Sequence, residues 1–185
     1  MPISDPVPRT PLHRRRITLD GYRRADGLFD IEAEITDCKC YEINVEGRTA
    51  GPDAPLHHMR LRITVDEGLL IHAAEAATEA GPYLACGGGA ASFAGLVGLT
   101  VRPGFVREAM VRLGGPAGCT HIRELVQQLG TVAHQTLFGQ RSRPPNDAAI
   151  AARMIDSCHA YAADGPVVRR RWPQLYTGPD RVAAD

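Results

Sequence analysis

From Leu28 onward the chain alternates with a period of two: Phe29, Ile31, Ala33 and Ile35 share one side, and Asp30, Glu32, Glu34 and Thr36 share the other. Side chains of a strand point alternately to its two faces, so this is a half-buried strand with a solvated acidic face. Tyr41, Ile43 and Val45 keep the same period and are expected to return as its neighbour, before Gly51, Pro52 and Pro55 break the order. A third strand follows, with Met59, Leu61, Ile63 and Val65 on one face and Arg60, Arg62 and Thr64 on the other, ending in the turn signal Asp66-Glu67-Gly68 before Leu69-Leu70-Ile71. By the same parity His57 belongs to the apolar face and His58 to the arginine face.

Beyond Gly81-Pro82 the period changes. Ala90 to Leu99 is small and apolar at helical spacing and predicts a helix packed closely on the sheet, preceded by Cys86-Gly87-Gly88-Gly89. Phe105 to Leu113 predicts a short amphipathic helix stopped by Gly114-Gly115-Pro116. Ile122, Leu125, Val126, Leu129, Val132 and Ala133 form the stripe of a longer one, with Cys119 on its inner side at the helix start. Pro144-Pro145-Asn146-Asp147 predicts a break and a new start, Ala148 to Ala163 a last helix, and Val167 to Asp185 an irregular tail. Strands followed by helices predict an α+β fold: an antiparallel sheet of about three to four strands with helices packed on one face.

With 185 residues and 44% hydrophobic side chains, the chain suits one domain with extensions. The expected division is a flexible Pro-rich segment at 1–13, an α+β core at 14–138, and a helix with its tail at 139–185. Twenty-one basic residues, all Arg except Lys39, balance 21 acidic ones, so no global field favours nucleic acid or an anionic membrane. No run approaches the roughly 20 apolar residues of a membrane span, and Met1 to Pro11 has no apolar core run and reaches the basic cluster Arg14-Arg15-Arg16 only afterwards, the reverse of a secretory signal. A cytoplasmic location is the expectation. Five cysteines is an odd count, which argues against a disulfide framework.

The candidate chemistry lies in three separated segments. A thiol at a helix N-terminus is favoured as the thiolate, which binds metal or attacks electrophiles, and Cys86 and Cys119 are both expected at helix starts. Thiolate and imidazole donors suit zinc or iron, and His57, Cys86, Cys119 and His121 have the types and number for a tetrahedral site. The competing reading is that both cysteines are small buried hydrophobes and that His121 caps the helix or faces solvent. Cys38 and Cys40 face opposite sides of a strand and cannot share a metal. Gly87-Gly88-Gly89 lacks the lysine of a P-loop. Asp30, Glu32 and Glu34 form a solvated face that can offer a general base only if one lies near the thiolates. Cys158 and His159 diverge on a helix.

The run His57-His58-Met59-Arg60-Leu61-Arg62-Ile63-Thr64-Val65-Asp66, then Ile71 and Ala73, then Cys86-Gly87-Gly88-Gly89-Ala90, then Gly118-Cys119, resembles the layout of iron–sulfur cluster assembly scaffolds of the IscU/NifU type. In those scaffolds a C-G-D-V-M-x-L strand leads to a G-C-G-S-A helix start, and an H-C pair opens a long helix. If Met59 matches the scaffold methionine, His57 takes the place of the aspartate and Pro55 that of the first cysteine. Cys86 then takes the place of the second cysteine, Gly118 that of the histidine and Cys119 that of the third cysteine. One scaffold cysteine is thus missing, and Gly114-Gly115-Pro116-Ala117 replaces the L-P-P-V-K stretch that binds a chaperone. The chain is also similar to an uncharacterised bacterial family, often near catabolic genes, that shares an H-x-M strand start and a G-C-T-H helix start. The resemblance implies a scaffold-like fold with a re-purposed site at His57, Cys86, Cys119 and His121.

Two function classes follow. The first is a small-molecule enzyme, a lyase or hydrolase acting on a small organic acid or an aromatic compound. It would use zinc, iron or an activated thiolate, with Cys119, His121 and His58 in catalysis and Arg60, Arg62 and Tyr83 as substrate contacts. The second is a metal- or sulfur-handling scaffold without turnover. A small-molecule partner and a homo-oligomer fit either.

Overall fold

The computed structural model describes residues 3–46, 48–140 and 146–179, and the chain divides into two compact units, 1–141 and 142–185. The first unit is α+β. Its sheet has four antiparallel strands in sequential order: β1 (His13–Arg23), β2 (Phe29–Lys39), β5 (Pro55–Val65) and β6 (Ile71–Ala80). Ile31 faces Ile63 and Ala33 faces Leu61 across β2 and β5, so the two alternating patterns bury one common face. The helices lie on that face: α1 (Phe105–Leu113) and α2 (Thr120–Thr136). Ile122, Leu125, Val126, Leu129 and Ala133 of α2 are fully buried against Phe29, Ile31, Ile35, Met59 and Leu61. Each large aliphatic side chain so buried contributes about 2 kcal/mol.

Three expectations about this unit are corrected. The segment carrying Tyr41, Ile43 and Val45 is not the neighbour of β2. Its residues form β3 (Ile43–Val45), paired with β4 (Arg48–Ala50) in a separate two-stranded sheet, because the edge of β2 that it would occupy is taken by β1. That strand is arginine-rich, and only Ile17 and Leu19 of its side chains join the core. The stretch from Ala90 to Leu99 is not an α-helix. Leu84–Gly89 and Ala91–Leu96 are 3₁₀ turns, because four glycines, Gly87, Gly88, Gly89 and Gly95, remove the side chains and raise the entropic cost of a regular helix. Phe93 and Leu96 still fill the core from these turns. Cys86 consequently sits inside a turn rather than at the start of an α-helix.

One glycine is required by close packing. Gly21 of β1 faces inward beside the end of α2, where an added Cβ would fall 1.8 Å from Thr136 Oγ1 and 2.7 Å from Thr136 Cβ.

The second unit holds α3 (Asp147–Met154) and α4 (Pro166–Arg171). Asn146 caps α3 by accepting from Ala149 N at 2.8 Å, while Pro144 and Pro145 of the expected break lie outside the described residues. The expected helix to Ala163 stops at Met154, where Ser157 Oγ donates to the Met154 carbonyl and Asp156 adopts a positive φ of 60°. The expected irregular tail carries α4, and Trp172 is buried with Ala151 and Val168, its Nε1 donating to Asp147 Oδ2 at 2.9 Å; positions 180–185 lie outside the described residues. Among the described residues no helix is long and apolar enough to cross a membrane.

Candidate functional site

The inner face of the sheet is apolar until its last rung. Asp37 shares the parity of Phe29, Ile31, Ala33 and Ile35, and in register it stands between Arg15 of β1 and His57 of β5. The β2–β5 ladder shifts register between Asp37 and Cys38, as bulges do where a strand re-aims a side chain. Above this rung the first turn of α2 brings down His121.

The result is a carboxylate, 2% exposed, ringed by cationic and imidazole groups. Arg15 grips it with both arms of its fork, Nε donating to Oδ1 at 2.8 Å and Nη2 to Oδ2 at 2.7 Å, while Nη1 donates to Glu124 at 2.5 Å. His13 Nε2 lies 3.2 Å from Oδ1. His57 Nδ1 and His121 Nε2 lie 3.6 Å and 3.5 Å from Oδ2. The two rings stack with centroids 3.9 Å apart, and His57 Nδ1 is buried with no hydrogen-bond partner. Donor atoms of Asp37, His57 and His121 all lie within 4.8 Å of one another, so this cluster can hold a metal ion.

The electrostatics agree with that capacity. Burial alone would raise the Asp37 carboxyl, but the Arg15 hydrogen bonds and charge, with His13 and His121, outweigh it and hold the group below the usual carboxylate range. Burial pushes both the His57 and the His121 imidazole below their ordinary value, with the facing ring adding to the effect at His57 and Asp37 opposing it at each. Burial thus favours the neutral form of both rings, the form that offers a lone pair to a metal.

The residues singled out from sequence divide between two sides of the sheet. His57 and His121 meet at the cluster, and Cys119, which precedes the first residue of α2, places its sulfur 4.0 Å from His121 Nδ1. Cys86 is outside the group of three donors; its carbonyl accepts from Thr78 at 3.5 Å, and its side chain lies against Gly81. Tyr83 is exposed just ahead of the turn holding Cys86. That turn reaches the cluster at its far end, where a Cβ on Gly89 would come within 3.2 Å of Cys119.

His58, Arg60 and Arg62 lie on the opposite face, the one that α1 and α2 do not cover. His58 is bonded to Glu34, Arg62 is paired with Glu75 and Glu32, and Arg60 and Arg62 line a polar groove of about 350 Å³ with Thr18, Asp20, Glu32 and Glu34. A sheet therefore separates them from His57 and His121.

Asp37, Arg15, His13 and Glu124 were not among the residues selected from sequence. Asp37 had a signal: it continues the parity of the apolar face, where an unpaired carboxylate is costly. Arg15 and His13 had one only if β1 was recognised, since they share the parity of Ile17 and Leu19.

No curated protein and no solved structure matches the chain. A family match begins at His13 and ends within α2, so it takes in every member of the cluster and none of the second unit. Over residues 13–135 the chain matches, and so belongs to, the family described as Protein of unknown function (DUF2889).

Proposed function

We propose that this protein is a small-molecule metabolic enzyme, a lyase or hydrolase acting on a small organic acid or an aromatic compound, with zinc or iron held by Asp37, His57 and His121. The observation that supports this best is the spacing of the three donors. Ligand atoms bound at 2.0–2.1 Å to one tetrahedral ion stand roughly 3.3 Å apart. The distances of 3.6 Å and 3.5 Å from Asp37 Oδ2 are near that edge and too long for good hydrogen bonds. The orphaned Nδ1 of His57 then gains a partner.

Three protein donors leave a coordination position open, as in catalytic rather than structural zinc, and two histidines with a carboxylate also suit ferrous iron. When bound, such an ion supplies Lewis-acid polarisation and activation of water. Arg15 fixes the orientation of Asp37 and cancels its charge, so a divalent ion set against Glu124 leaves the cluster net positive, which favours an organic anion. His13, 41% exposed at the strand end, is placed to exchange protons between the cluster and solvent. Tyr83, just ahead of the turn whose far end at Gly89 borders Cys119, is the aromatic candidate for substrate contact.

A second reading, a non-catalytic metal- or sulfur-handling protein, is favoured by Cys119 standing beside His121 at the position of the scaffold's third cysteine. Elemental analysis and labile-sulfide assay of the purified protein separate the two. The enzyme reading expects about one zinc or iron per chain and no sulfide, together with turnover of a small organic acid or aromatic compound that chelation abolishes. A brown chromophore with labile sulfide overturns it in favour of the scaffold.

A further inference from the structure

We infer that Cys119 is a positioning residue that accepts a hydrogen bond from His121 Nδ1–H and so aims Nε2 at the metal, rather than a metal ligand itself. The inference rests on the metal reading above. His121 presents its two ring nitrogens to different neighbours: Nε2 stands 3.5 Å from Asp37 Oδ2, and Nδ1 stands 4.0 Å from Cys119 Sγ. A neutral imidazole that gives the lone pair of Nε2 carries its proton on Nδ1, and the Cys119 sulfur, 4.0 Å away, is then the neighbour placed to accept from it.

Three further observations support this role. Cys119 is the N-cap of α2, with φ −86° and ψ 131°, yet its side chain makes no capping hydrogen bond to the first turn; the sulfur is left for the ring. Its position is held from behind by the turn at Leu84–Gly89, where Gly89 approaches so closely that a Cβ there would lie 3.2 Å from both Cys119 Cβ and Cys119 N. Among the described residues the group of three mutually close donors is Asp37, His57 and His121, without the cysteine.

The test is cobalt(II) titration of the metal-free parent, Cys119→Ser and Cys119→Ala, followed by absorption, with the thermal unfolding of each metal-free protein recorded alongside. The expected result is ligand-field bands in the parent with no near-ultraviolet sulfur-to-cobalt band. Cys119→Ser, whose oxygen must move closer than the sulfur's 4.0 Å to accept from Nδ1, should bind between the parent and Cys119→Ala, and Cys119→Ala should bind roughly 10- to 100-fold more weakly. A sulfur band in the parent that vanishes in Cys119→Ser overturns the inference and makes Cys119 a ligand. Parent-like affinity in Cys119→Ala overturns it as well. Independently of any variant, ¹⁵N NMR of the zinc-loaded parent should find the His121 proton on Nδ1, and a proton on Nε2 would overturn the proposed geometry. Failure of the parent to take up cobalt at all would remove the metal reading and this inference together.

Discussion

Asp37 and His57 stand directly across from each other in the ladder between β2 and β5, and Oδ2 and Nδ1 are 3.6 Å apart, near enough to share an ion and too far to share a proton well. The carboxylate is held instead by Arg15, whose fork occupies one lone pair of each oxygen. Replacing Asp37 by Asn keeps the shape, removes the charge and turns one donor face towards Arg15. Metal content should fall from about one per chain to a small fraction, and stability should drop by about 2 kcal/mol as Arg15 loses the buried one of its two carboxylate partners and keeps only Glu124. Elemental analysis with urea unfolding checks both. Full metal retention in the variant would exclude Asp37 as a ligand.

Packing rather than chemistry governs Gly21. A Cβ at this position would overlap Thr136 Oγ1 and approach Thr136 Cβ to 2.7 Å, and the latter cannot rotate away. Gly21→Ala should therefore push the end of α2 off β1 and destabilise the fold by about 1–3 kcal/mol. Pairing it with Thr136→Ala, which removes Oγ1 and Cγ2 but leaves Cβ at 2.7 Å, should recover only part of the loss, which a double-mutant unfolding cycle measures.

The strands β2 and β5 and the helices α1 and α2 were legible because one strong period decides each of them, and the buried residues are those that the period selects. β1 was not legible: its inward positions run His13, Arg15, Ile17, Leu19 and Gly21, so charge and glycine hide a two-residue apolar signal. The same concealment applies to the site. His57, Cys119 and His121 were found as unusual residue types at element starts, whereas Asp37 looked like one more acidic residue at the end of an acidic strand. Its meaning depends on register with Arg15, a long-range fact that no local window contains. Cys86 was misplaced for the opposite reason, since a run of small residues suits both a close-packed helix and a glycine-rich turn.

The turn between β5 and β6 carries a pH-dependent contact away from the cluster. Burial would raise the Asp66 carboxyl, but His72, 2.9 Å away, and the backbone N–H of Leu70 hold it below its ordinary value. A lowered carboxyl binds its proton less readily folded than unfolded. Its stabilisation is therefore complete above the unfolded value near 3.9 and is lost as pH falls through the folded value. The pair is partly exposed, so the effect is about 0.5 kcal/mol. Asp66→Asn should melt slightly below the parent at pH 6 and level with it near the acid limit; a difference constant with pH would assign the effect to the turn hydrogen bond alone.

His57 and His58 are consecutive residues on opposite faces of one strand, and they make the most direct comparison between the two sides of the sheet. His57 contributes a buried nitrogen, without a hydrogen-bond partner, to the donor cluster. His58 is bonded to Glu34 on the face away from α1 and α2, in the same row of side chains as Arg60 and Arg62. His57→Ala should lower zinc affinity by at least about 100-fold, the loss expected when one of three protein ligands is removed, since even outer partners change affinity 10- to 100-fold. His58→Ala should leave affinity within about twofold and cost only the small worth of a partly exposed pair. Zinc titration calorimetry on the two variants decides the matter. A large loss in His58→Ala with none in His57→Ala would place the metal on the outer face beside Glu34 and return Arg60 and Arg62 to the list of substrate contacts.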